Sequence, residues 1–257
     1  GQFNDNDYVL FYGRSPNEWV YDPVNKTYLH NLNIFSKSNY YWITFGGANG
    51  LRMENKNSPN QPGLTPLSNF TDRFFEEPEV NNPGSTGNLW VSQRISVNEA
   101  FTFNRELKGY ISESPLNMRF RFGNGSTFSS IWRLEDLNST FIVNQPVSGI
   151  TGYSRINLSY LGYSRFGVYY SLLPGRSSIN FKASLPSSNG NSSNVSGYYD
   201  FYEVLYKRSF SADNNLLRFN SPDTNVITEY SINNFTSQSI KIFEITSQEN
   251  VNLINPV

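Results

Sequence analysis

The chain contains no cysteine, one histidine and two methionines among its 257 residues. Without cysteine there is no disulfide scaffold, no thiolate–zinc site and no thiol nucleophile within these residues. One histidine allows neither an HxH nor an HExxH pair, so a metal site would need several carboxylates. Charged residues are also scarce, at 16%, and the net charge is −1. The charged share is below the usual quarter. Such a balance offers no basic surface for nucleic acid or an anionic membrane. No apolar run approaches about 18 residues, so no membrane insertion by a helix is predicted. No signal peptide stands at the start, and the chain opens on Gly1. That opening reads as a tag scar or a trimmed end, which leaves room for a native leader upstream.

Aromatic residues are abundant, with 20 Phe, 17 Tyr and 4 Trp. Polarity comes mainly from Asn, Ser and Thr. Short aromatic and β-branched runs recur between Asn, Gly, Pro and Ser, which predicts strands. They fall at 8–12, 19–21, 27–32, 40–45, 89–95, 118–122, 131–134 and 140–143. Others fall at 155–160, 166–172, 179–185, 198–210, 216–219, 226–232 and 240–245. In "MRFRF", Met118, Phe120 and Phe122 alternate with Arg119 and Arg121, the period of a half-buried strand with its arginines outward. "YDFYEVLYKRSF" is aromatic on both faces and reads as a central strand, covered on one side and partly on the other. "FTDRFFEEPEV" (70–80) reads as one short helical turn stopped by Pro78.

Turn chemistry agrees. "DPVNKT" (22–27) places Pro23 and an Asn25 tolerant of the left-handed region between two strand runs. "SSNGNSSN" (187–194) reads as the most disorder-prone tract. The stretch from Gly46 to Pro83 has few strand signals apart from a weak one near Leu51–Met53. It divides an expected N-terminal β unit with a long loop (1–85) from a β-sandwich (86–257), although one domain also fits. The expected fold is an all-β, antiparallel, jelly-roll-like sandwich.

His30 lies in "NKTYLHNLN", with Tyr28 and Leu32 on its face of the strand. Its role is read as structural, a half-buried strand histidine bonded to a backbone carbonyl. The densest carboxylates, "NDND" (4–7) and "EEPE" (76–79), do not follow a calcium-loop spacing. No cofactor is expected, with a surface calcium ion left open. No G-x-S-x-G elbow occurs, and "FGGANG" (45–50) lacks the lysine and helix of a phosphate loop. Asn-x-Ser/Thr triplets begin at Asn25, Asn69, Asn124, Asn138, Asn157, Asn191, Asn194 and Asn234. An Asn-rich chain gives about that many by chance, so they carry little weight. Trp19, Trp42, Trp90 and Trp132 could stack on sugars, but core packing is the plainer reading.

Four stretches rise above composition together and in order. They are "DYVLFYGRSPNEWVYD", "TYLHNLNIFSKSNYYWITF", "GYYDFYEVLYKRSF" and "IKIFEITSQENVNLINPV". They resemble the region before the peptidase domain of gingipain-type cysteine peptidases, and within these the PorU-type sortases of the type IX secretion system of Bacteroidetes. Phe11, Tyr12, Trp19, Tyr21, His30, Asn33, Ser36, Tyr40 and Tyr41 fall on the first family pattern. Gly197, Tyr198, Asp200, Tyr206 and Arg208 fall on the second. Phe243, Glu244, Thr246 and Pro256 occupy the last, with Phe-Glu in place of the family's Trp-Asp. Residues 46–195 match only loosely, and "NLWVSQRIS" departs from the family's run at that place.

The resemblance implies an accessory region of a secreted or cell-surface peptidase or sortase, not itself an enzyme. Its implied partner is a downstream peptidase domain of the same parent chain, or an outer-membrane secretion partner. The implied location is extracellular or at the outer-membrane surface of a bacterium. No catalytic residue carries over, because the family's cysteine nucleophile has no counterpart here. The alternatives are a carbohydrate-binding β-sandwich with a glycan partner, or a surface adhesin.

Overall fold

The computed structural model describes all residues except 1–3, 5–7, 34, 45, 49, 84, 86, 88, 151–161 and 248, and the backbone alone of 162 and 163. Fourteen strands are described, with one 3-10 turn (Ser187–Asn189) and no α-helix among the described residues. The chain divides into two compact units. One comprises Gly1–Thr65, Asn225–Glu229 and Thr236–Val257, and the other Pro66–Thr224 and Tyr230–Phe235.

The larger unit is a two-sheet sandwich. One sheet has the order β10 (Gly162–Ser171), β7 (Pro115–Asn124), β12 (Ser196–Ser209), β4 (Asn69–Glu76), with the short β5 (Ile95–Ser96) also on β12. The other has the order β6 (Ala100–Glu106), β11 (Ser178–Ser184), β8 (Ser130–Asp136), β9 (Ile142–Val147). All pairings in both sheets are antiparallel. From β6 to β12 the chain crosses between sheets at every step except the β8–β9 hairpin. That is the connectivity of a jelly roll.

Alternation in the sequence builds the core directly. Leu116, Met118, Phe120 and Phe122 of β7 are buried, as are Trp132 and Leu134 of β8 and Ile179 and Phe181 of β11. Phe122 stacks on Trp132 at 4.4 Å between ring centres. Tyr202, Val204 and Tyr206 of β12 join the same core. Each fully buried side chain of this kind stabilises by about 1.5–3 kcal/mol before its entropic cost. Gly197, the second residue of β12, lies beneath Trp132. A Cβ there would lie 2.2 Å from Trp132 Cζ2 and 3.0 Å from Leu185 Cδ1, so only glycine fits.

The pairing of β12 with β7 shifts register between Tyr199 and Phe201. This β-bulge makes Asp200 the extra residue. Tyr199 packs against the core before it, and Tyr202, Val204 and Tyr206 enter the core after it.

The smaller unit holds an antiparallel hairpin of β1 (Glu18–Asp22) and β2 (Thr27–Asn31). It also holds a three-stranded sheet, in which β13 (Ile242–Ser247) pairs antiparallel with β14 (Asn250–Asn255) and β3 (Glu54–Asn57) runs parallel to β14. In the hairpin turn, Asp22 Oδ1 accepts the N–H groups of Val24 (3.0 Å) and Asn25 (3.2 Å). The left-handed residue there is Lys26, at φ 49°, not Asn25.

Several expectations change. The helical turn expected within 70–80 is instead the strand β4. Eight residue pairs with β12 outweigh a weak local preference. Among the described residues, 8–12, 40–44, 216–219 and 226–232 belong to no strand, Tyr230 making only an isolated bridge to Leu67. Of the run 89–95, only Val91 (an isolated bridge to Asn81) and Ile95 pair. The weak strand near Leu51–Met53 lies three residues on, at β3. β6 and β14 are strands the sequence reading left out. The tract 187–194 is built in, because Asn191 is buried and bonds both the N–H (2.8 Å) and the carbonyl (2.9 Å) of Ile131. The expected strand at 155–160 lies outside the described residues.

Candidate functional site

The most unusual chemistry of the larger unit lies on the outer face of its five-stranded sheet. β7 presents Arg119 and Arg121 there, the two arginines of "MRFRF". β12 presents Glu203 directly opposite Arg119, and the bulge sets Asp200 beside Arg121. Arg119 Nε lies 2.6 Å from Glu203 Oε1, and Arg121 Nη1 lies 2.6 Å from Asp200 Oδ2. The two carboxylate side chains are only 8% and 1% exposed, so these are buried ion pairs on a nominally outer face. Aromatic rings supply much of the cover. Phe75 of β4 packs on Phe201 at 5.2 Å, and the Arg165 guanidinium of β10 sits 5.2 Å above Phe201.

Burial pushes the Asp200 carboxyl above its usual range, against the pull of Arg121, of a side-chain hydrogen bond with Glu77 and of Arg165. Burial raises Glu203 in the same way, against Arg119 and Arg165. Desolvation therefore outweighs attraction at both acids. The cluster unites three stretches far apart in sequence, "MRFRF", "EEPE" and "GYYDFYE". Its acids already face arginines, so it is built to close a sheet face and offers no free nucleophile. Among the described residues, no group of three or more His, Cys, Asp or Glu side chains could hold a metal ion.

The family-pattern residues occupy several separate places. Gly197 is the close-packing point under Trp132. Asp200 belongs to the ion-pair cluster. Tyr206 and Arg208 converge on Asp72 of β4, at 3.1 Å and 2.8 Å, and Arg208 also donates to the Ser211 carbonyl. Burial, then the neighbouring Asp72, raises the Tyr206 phenol. These contacts lock β12 to its edge neighbour.

In the smaller unit His30 stands opposite Trp19, with ring centres 4.9 Å apart and an edge-on geometry. Burial lowers its pKa to about 4, so the imidazole is neutral at neutral pH. Tyr21 packs on Tyr28 across the same hairpin. Phe11 packs on Tyr41 at 5.7 Å, and the Tyr41 hydroxyl accepts the Arg14 N–H at 2.6 Å. Tyr12 is half-buried, while Tyr40 is 81% exposed.

Sequence reasoning missed the roles of Arg165, Glu77 and Glu203, and it read Arg119 and Arg121 as merely outward. One signal was available. Acids flanked by rings in a central strand need cations from the neighbouring strand, and "MRFRF" supplies two at the right period.

No family model matches the sequence, and no curated protein matches it. Solved structures do. Half of this chain, 52%, aligns with 96% of the CBM36-1 domain of a multidomain xylanase from the hindgut metagenome of Trinervitermes trinervoides, at 8% identity and TM-score 0.32. A carbohydrate-binding module CBM36 in complex with calcium and xylotriose aligns with 51% of this chain and 98% of its own, at 12% identity and TM-score 0.27. The chain is also similar to dimeric latent PorU from Porphyromonas gingivalis, at 13% identity and TM-score 0.63, over 95% of this chain and 23% of that one. Nearly the whole chain thus has a PorU-like fold, and it spans under a quarter of the PorU chain it matches.

Proposed function

We propose that this chain is a non-catalytic accessory module of a larger, PorU-type protein at a bacterial cell surface. The observation that carries this reading is the fold likeness to PorU across 95% of the chain. The four ordered sequence stretches support it independently. The lack of any cysteine in the chain separates it from thiol catalysis, and the buried ion pairs suit a rigid scaffold better than a reactive centre. In this role the module packs against or positions a peptidase domain, or docks a partner at the outer membrane. Rings on an open surface would supply the binding energy.

The test is to read the parent gene through and beyond codon 257. A continuing frame that encodes a Cys/His peptidase domain is the expected result. Peptidase activity is then measured with and without this module, and its loss without the module completes the case. A stop codon directly after Val257 would overturn the reading. So would saturable glycan binding by the isolated chain, which would favour a carbohydrate-binding module.

A further inference from the structure

Two segments of the smaller unit have strand composition on both faces. Residues 8–12 read "YVLFY" and residues 40–44 read "YYWIT". A strand apolar on both faces needs cover on both faces. Here the cover is missing from much of the surface. Tyr8 is 68% exposed, Val9 56%, Phe11 52%, Tyr40 81%, Trp42 91% and Ile43 55%. Exposed apolar side chains grouped this densely mark an interaction surface.

The segments lie side by side, tied by side chains. Phe11 packs on Tyr41, and both the Tyr41 hydroxyl (3.2 Å) and the Asn39 amide (3.0 Å) donate to the Arg14 carbonyl. Lys241 lies over the Tyr8 ring at 4.5 Å. Yet among the described residues no ladder takes in 8–13 or 39–44. No charged residue occurs between Tyr8 and Gly13 or between Ser38 and Gly50. Exposed strand edges are usually guarded by charge or proline, and neither guard is present in these stretches.

We infer that residues 8–12 and 39–44 form a strand-addition site, which takes an uncharged, extended polypeptide strand from a partner protein. Main-chain hydrogen bonds would supply affinity, and the alternating rings would select apolar side chains on the incoming strand. The inference does not depend on the accessory reading, because a stand-alone module with these segments would carry the same site.

Hydrogen exchange resolved by residue tests it on the whole chain. The probe is a capped nine-residue peptide of alternating Thr and Val at up to about 1 mM, within the weak range expected for so short a strand. The expected result is slower exchange at amides 8–12 and 39–44, by about tenfold, with the amides of β12 unchanged. The same peptide N-methylated at alternate residues should give no protection. Equal protection by the N-methylated peptide would overturn the inference, because ring packing alone would then explain binding. Absence of protection by either peptide would overturn it too. Protection that instead rises with protein concentration alone would assign the surface to a second copy. Protection only with phosphatidylcholine vesicles would assign it to lipid.

Discussion

β12 and the segment 8–12 are built from the same kind of sequence, aromatic and aliphatic on both faces, yet they meet opposite fates. In β12, Tyr202 is 1% and Phe201 7% exposed, because one face fills the sandwich core and the other lies under Phe75 and the arginines. In 8–12, Tyr8 and Phe11 stand mostly in solvent. Composition therefore states a demand for cover, and topology decides whether the same chain meets it. The larger unit meets it with two sheets and a layer of ion pairs. The smaller unit, as described, leaves it open, which is where a partner gains most from binding.

Substitutions can break this contrast. The largest effect is expected at Phe122→Ala, which removes a fully buried ring stacked on Trp132. It should destabilise by about 3–5 kcal/mol in urea denaturation. Arg119→Met strands the buried Glu203 without its closest cation and should cost about 3 kcal/mol, since breaking a buried pair costs more than the pair is worth. A loss much below that would mean Arg165 takes over. Gly197→Ala should cost about 1–3 kcal/mol through overpacking against Trp132. The double variant Gly197→Ala with Trp132→Phe should recover part of that loss.

The smaller unit should answer more quietly. His30 is held below its unfolded pKa of 6.5, at about 4, by burial. Its contribution is fully present above pH 6.5 and is lost as pH falls through about 4, because the unfolded chain binds the proton first. The variant His30→Gln should flatten this slope, read as exchange of the β1–β2 amides against pH. Smallest of all, Trp42→Ser should change folding stability by no more than about 0.5 kcal/mol, since its ring is 91% exposed. A loss near that of Phe122→Ala would sink the contrast between the two regions.

The all-β class and the core strands were legible because period two is local. "MRFRF" and "YDFYEVLYKRSF" each carry their own inside and outside. β4 was not legible, since "FTDRFF" becomes a strand only by pairing with residues 202–209, far along the chain. The ion-pair cluster was half legible. Its arginines and acids were visible, but which arginine meets which acid depends on the β7–β12 register. The strands read at 8–12 and 40–45 do not form over the described residues, because a ladder needs a second strand that composition cannot name.

The bulge at Asp200 acts on β12 as a one-base insertion acts on a reading frame. Every residue after it changes side relative to an unbroken strand. The extra residue is what returns Tyr202, Val204 and Tyr206 to the core. With Asp200 kept but the bulge ironed flat, they would turn out of the sandwich and Phe201, Glu203 and Leu205 would turn in. Deleting Asp200 would instead leave Tyr199, Phe201 and Tyr202 opposite Phe122, Arg121 and Phe120 in an unbroken ladder, so the core would keep its phase and the loss would be one carboxylate.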